Sequence, residues 1–138
     1  VLLTQSKEKF ITDYVVLEKN RGDEELLPLV LDRHEEKYGR RPESVAADKG
    51  FCPDVDTYEE SEERIDYLGM PRRTRDFGDA MMAVWQQWRA GIEGTISCLK
   101  RAFRLARCCF CGFNNFASAV GSAVFCHNLR ILAKTSGG

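Results

Sequence analysis

Over residues 79–107, apolar side chains return at steps of three and four: Trp85, Trp88, Ile92, Ile96 or Leu99, Phe103 and Ala106. That period stacks them along one side of an α-helix, because about 3.6 residues complete a turn. The spacing predicts one long helix with an apolar stripe that other elements must cover. Arg89, Glu93, Lys100, Arg104 and Arg107 follow helical steps of their own and define a second face. That face is cationic but for one carboxylate, and Glu93 is the only acidic residue after Asp79. The chain of 138 residues has room for one small domain around such a helix.

The composition, 43% hydrophobic and 30% charged, belongs to folded soluble chains and not to disordered ones. No run of 18 apolar residues occurs, which predicts no membrane span. No basic, apolar, small-residue leader pattern appears. The net charge of -1 averages two unlike halves. Residues 1–70 hold 10 Lys+Arg and 18 Asp+Glu, whereas residues 71–138 hold 10 and 3. Such asymmetry fits a polyanion-facing surface on the second half, or two halves that neutralise each other.

Upstream of the long helix the patterning changes period. VLLT and FITDYVVLEKN are β-branched and aromatic, with Phe10, Thr12, Tyr14 and Val16 alternating with Ile11, Asp13, Val15 and Leu17. They predict two strands joined by a short turn. Asn20-Arg21-Gly22-Asp23 reads as a turn with Asp23 as helix N-cap. Leu26, Leu27, Val30, Leu31 and His34 then recur at helical spacing as far as Gly39, with Pro28 in the first turns. RRPESVAAD, a short apolar run behind a proline, predicts a buried strand ending at Asp48, residues 54–63 an acidic helix, and RIDYLGMP a further strand stopped by Pro71. RRTR (72–75) and Gly78 connect to the long helix, and a last helix is expected over 114–132. The order is that of an α/β chain with a small mixed sheet.

A carboxylate at the C-terminal end of a buried strand faces the crevice where open α/β sheets place ligands, which singles out Asp48. Glu93 has two readings: it pairs with Arg89 one turn earlier, or it is a metal-binding acid flanked by phosphate-binding cations. Two carboxylates on different elements suit Mg²⁺, which prefers oxygen ligands and substrate phosphates.

Two motifs together resemble a known family. VAADKGF matches the A-D-[KR]-G-[FY] context of the second catalytic Asp in bacterial insertion-sequence transposases of the DDE type. Arg89, Glu93 and Lys100 match the R-x₃-E-x₆-K arrangement that carries the family's third acid. The closing His127-Asn128-Leu129 and the DEELLPLVLDRHEEKYG stretch are also similar to that family's C-terminal half. The family's tyrosine three residues before the arginine is replaced by Gln86, and its basic positions near 107–111 keep Arg107 but give Cys109 and Cys111.

The resemblance implies an incomplete RNase H-like fold, spanning 1–138, with an acidic α/β portion over about 1–78 and a basic helical portion over about 79–134. It implies a small mixed sheet lacking its first, central strand, with long C-terminal helices. Asp48 and Glu93 would hold Mg²⁺ or Mn²⁺, while Arg89 and Lys100 would bind DNA phosphate or position the acid. Arg104 and Arg107 would extend that phosphate-binding surface. The activity implied is phosphodiester hydrolysis and strand transfer at transposon ends, in the bacterial cytoplasm. The family's first catalytic Asp lies on the first strand, and Asp13, Asp23 and Asp32 do not take its place. The expectation is therefore a fragment, inactive alone, that needs an N-terminal segment or a homodimer partner before it uses its metal. The alternative is a non-catalytic DNA-binding or oligomerisation module using the basic face of the long helix.

Six cysteines in a chain with no secretory signal read as free thiols. Cys108, Cys109 and Cys111, with Cys126-His127 further on, raise a zinc site, although only Cys108 and Cys111 have the usual ligand spacing.

Overall fold

The computed structural model describes residues 1–19, 21–52, 54–70, 78–107, 109 and 111–137. Asn20 of the expected turn, Pro71 and the RRTR connector, and Cys108 lie outside the described residues. The chain divides into two compact units, Lys19–Arg89, and Val1–Glu18 with Ala90–Gly138.

The contiguous unit opens with helix α1 (Asp23–Tyr38). Gly22 occupies the N-cap position and makes no side-chain cap bond, so Asp23 is the first helical residue and not the cap. Gly39 ends the helix as expected, in the left-handed conformation with φ 68°, where its amide donates to Glu35 O. Strand β3 (Ser44–Ala46) pairs in parallel with β4 (Tyr67–Gly69), in the register Ser44↔Tyr67, Val45↔Leu68, Ala46↔Gly69. Parallel neighbours need a crossover. Here it is helix α2 (Val55–Glu62), capped by Asp54, whose Oδ1 accepts the Thr57 amide at 2.7 Å. Leu27, Leu31, Cys52, Tyr58, Ile65, Leu68 and Met70 form one buried cluster. Tyr58 satisfies its hydroxyl by donating to Leu68 O at 3.1 Å.

In the discontinuous unit, β1 (Leu2–Gln5) and β2 (Ile11–Val15) form an antiparallel hairpin with an irregularity between Thr4 and Gln5. The turn closes through Ser6 N to Phe10 O and Lys9 N to Ser6 O, both 2.9 Å, with Lys9 at φ 72°. Helix α4 (Phe113–Ser136) buries Val120, Ala123, Val124, His127 and Ile131. Its polar residues grip the hairpin backbone: Asn128 Oδ1 accepts the Ile11 amide at 2.8 Å and Asn128 Nδ2 donates to Ile11 O at 2.9 Å. A side-chain amide here takes the place of a neighbouring strand. By length and composition α4 is also apolar enough to cross a membrane, with mean hydropathy 1.3 over 18 residues. Counting unbroken apolar runs misses this, because scattered Ser, Asn and His interrupt the run without lowering the average far.

Helix α3 (Asp79–Arg101) supplies residues 79–89 to the contiguous unit and the rest to the other. It stops six residues short of the expected end. Arg104 adopts φ 56°, and residues Leu105–Arg107 form a separate 3-10 turn. Burial explains the break. Phe103 and Leu105 both pack on the cluster of Ile11, Leu99, Val120, Ala123 and Val124. In a continuous helix Leu105 would lie about 240° around from Leu99, off that side.

The result is a mixed α/β chain with, among the described residues, four α-helices and small sheets. Where a single mixed sheet is expected, the described strands instead form two separate two-stranded sheets, one antiparallel and one parallel.

Candidate functional site

Asp48 lies two residues beyond β3. Ala47 N still pairs with Gly69 O at 3.0 Å, and then Phe51 N donates to Asp48 O at 3.1 Å in the turn Lys49–Phe51. The ladder ends, the chain turns, and the Asp48 carboxylate is left exposed at the strand's C-terminal end. Its Oδ1 accepts from Arg89 Nη2 at 2.6 Å.

The arginine reaches that oxygen because α3 is docked one turn earlier. Trp85 is 3% exposed, donates from Nε1 to Ser44 Oγ at 3.1 Å, and packs against Gly69. A Cβ at residue 69 would overlap the indole ring. Trp85 on Ser44 and Arg89 on Asp48 are therefore two matched contacts, each four residues further along its own segment.

With Asp48 65% and Arg89 28% exposed at the side chain, the ion pair contributes only about 0–1 kcal/mol to stability. Its value is geometric: a charge-assisted bond fixes the carboxylate's direction. The second Asp48 oxygen stays available, among the described residues, for another electropositive partner.

Glu93 is exposed on α3, one turn after Arg89 and on the same side of that helix, and Lys100 follows on that side. No Arg89–Glu93 ion pair forms; the guanidinium goes to Asp48. Glu93 belongs to the discontinuous unit. Arg104 and Arg107 are exposed but leave the shared face, because α3 ends at Arg101. Their expected alignment with Lys100 along one helix does not hold.

Asp48 and Glu93 offer hard oxygen donors of the kind Mg²⁺ selects. Among the described residues, no group of three or more His, Cys, Asp or Glu is placed to hold a metal ion. The zinc reading fails on the same ground for the part that is described. Cys109, Cys111 and Cys126 are exposed, whereas the adjacent His127 is 1% exposed with Nε2 against Lys9 O at 3.0 Å. Cys108, the fourth thiol, lies outside the described residues.

Sequence reasoning missed one inner-face residue. The stripe of Trp85, Trp88, Ile92, Ile96 or Leu99 and Phe103 omits Thr95, which is 5% exposed. Thr95 Oγ1 donates to Gln5 Oε1 at 2.5 Å. The signal was available: a hydroxyl in an apolar seam needs a partner.

No curated protein and no solved structure shows significant similarity to the chain. A family model described as a transposase DDE domain matches residues 1–129, and the chain belongs to that family.

Proposed function

We propose that this chain is the C-terminal part of an RNase H-like catalytic domain that cuts and rejoins DNA phosphodiesters, with Asp48 and Glu93 as two of its acids. The observation that carries the reading is the Arg89–Asp48 bond at 2.6 Å. It ties the aspartate of the ADKG segment to the arginine one turn before Glu93, inside a segment matched by the transposase family model. Asp48 and Glu93 would each offer a carboxylate to divalent metal, which when bound supplies polarisation of a phosphodiester and activation of the attacking oxygen. Arg89 fixes the direction of the Asp48 carboxylate through its Oδ1. Lys100, Arg104 and Arg107 contact backbone phosphate and set register without reading bases. Residues 1–138 contribute two acids, and we expect strand transfer only when a third carboxylate is supplied.

Mn²⁺ titration of the full chain, followed by the loss of the free-ion paramagnetic signal, tests the pair. Asp48→Asn and Glu93→Gln should each weaken Mn²⁺ binding by about tenfold or more, since loss of even an outer-shell partner costs about 10–100-fold. Unchanged affinity in both variants overturns the reading. The alternative, a DNA-binding module without catalysis, is favoured by the exposure of Lys100, Arg101, Arg104 and Arg107 in a stretch with no acidic residue. It predicts salt-sensitive DNA binding that ignores both Glu93→Gln and metal removal.

A further inference from the structure

We propose that Gln5 and Thr95 are positioning residues that set the roll of α3 and so aim the Glu93 carboxylate. The proposal rests on the reading of Glu93 as a metal-binding acid. Gly91 and Thr95 are one turn apart on α3, and Gln5 lies over both: Thr95 Oγ1 donates to its Oε1 at 2.5 Å, and a Cβ on Gly91 would stand 3.4 Å from its Nε2. Glu93, two residues from each, projects about 200° away and is exposed. A bond on the inner side therefore fixes what the outer side presents.

The hairpin end of this bond is itself held. Gln5 pairs with Ile11 just after the irregularity in β1, a feature that re-aims a side chain. Ile11 is clamped on its N–H and its carbonyl by Asn128. Asn128 thus fixes β2 from α4, Ile11 stands opposite Gln5 across the hairpin, and Thr95 holds Gln5 from α3.

Apolar packing alone leaves a helix free to roll by small angles, because it is non-directional. At a helix radius of about 5–6 Å, a 20° roll carries an outward side chain about 2 Å. Metal–ligand distances tolerate about 0.2 Å. The Gln5–Thr95 bond removes that freedom where it matters for Glu93.

Thr95 has a second acceptor, Gly91 O at 3.2 Å in its own helix. In Gln5→Met the hydroxyl falls back on that carbonyl and stays satisfied, so this variant loosens the roll without leaving a bare polar group. Thr95→Val removes the bond from the other side, and Thr95→Ser restores it.

The test is Mn²⁺ affinity of the full chain beside its melting temperature. Gln5→Met and Thr95→Val should each weaken Mn²⁺ about fivefold, the scale of one lost hydrogen bond, with Thr95→Ser within twofold of the parent. Val120→Ala, which opens a cavity in the same unit's core, should lower the melting temperature and leave Mn²⁺ affinity unchanged. If Gln5→Met binds Mn²⁺ as tightly as the parent while Glu93→Gln does not, the positioning role is wrong and the acid assignment stands. If Val120→Ala weakens Mn²⁺ as much as Gln5→Met, the effect is general loosening and the proposal fails. If Glu93→Gln changes nothing, the underlying reading falls with it.

Discussion

Each unit has to support a two-stranded sheet, and the two do it by different physics. The contiguous unit, Lys19–Arg89, packs its parallel pair into a cluster of seven buried side chains, of which Leu68 comes from β4 itself. The discontinuous unit grips its hairpin with polar side chains of helices: Asn128 on both backbone groups of Ile11, His127 on Lys9 O, Thr95 on Gln5. Apolar packing is proportional to area and tolerates swaps of similar volume. A buried hydrogen bond is less forgiving, because removing one partner strands the other. The discontinuous unit also has to close a loop of some seventy residues between Glu18 and Ala90, an entropy cost that grows slowly with length.

Charge divides along the same line. The contiguous unit holds 12 Lys+Arg and 17 Asp+Glu, the discontinuous unit 8 and 4. The excess of positive charge therefore lies on the unit whose framework is held by directional bonds.

The largest effect expected from this comparison is Gly69→Ala. The new methyl group meets the Trp85 ring, which is buried and bonded to Ser44. Overpacking of this kind should cost about 3 kcal/mol or more, read as a lower midpoint in chemical denaturation. Hydrogen exchange then sharpens the contrast. Protection should fall at Leu68 and not at Ile11 or Val124; equal loss at all three would break the division into two units.

Much of this organisation is legible in the sequence, and the exceptions share a cause. Among the described residues, periodicity places β1, β2, α1, α3 and α4, acidic composition α2, and short runs beside prolines β3 and β4, while Gly39 ends α1 where a left-handed residue is needed. The end of α3 is not legible, because no Gly or Pro marks it; Arg104 takes φ 56° so that Phe103 and Leu105 reach one cluster. Asp23 resembles a cap by residue type, yet Gly22 holds that position. Asp48 and Arg89 are visible as motif residues, whereas their mutual bond is a tertiary fact 41 residues apart in sequence. Thr95 hides in plain view because its partner, Gln5, lies 90 residues away. Local pattern reports which residues must be buried, not which distant group satisfies them.

A smaller effect should follow Asn128→Ala in the discontinuous unit. It removes two hydrogen bonds and leaves the Ile11 N–H and carbonyl without the partners they have in β2. About 2 kcal/mol is expected, with exchange protection lost at Ile11 and kept at Leu68. Asn128→Asp separates the two bonds: the carboxylate still accepts from the Ile11 amide but repels its carbonyl, so a cost similar to alanine would assign the clamp to the donated bond.

The smallest effect concerns pH and the contiguous unit. His34, half-buried beside Tyr38 with ring centroids 4.7 Å apart, has its pKa pushed below the ordinary value. Desolvation is the main cause and the Arg40 charge adds to it, while Glu35 pulls the other way. A histidine that is harder to protonate when folded binds fewer protons than its unfolded counterpart, whose pKa is near 6.5. Its contribution to stability is therefore complete above about pH 6.5 and is lost as pH falls through that value toward the folded pKa. The melting temperature of His34→Gln should decline less than the parent's between pH 7 and pH 5.5, before most carboxylates titrate. An identical decline would mean that the C-terminal turn of α1 opens enough to hydrate the imidazole, and that the apolar cluster alone, without the packed end of α1, holds the contiguous unit.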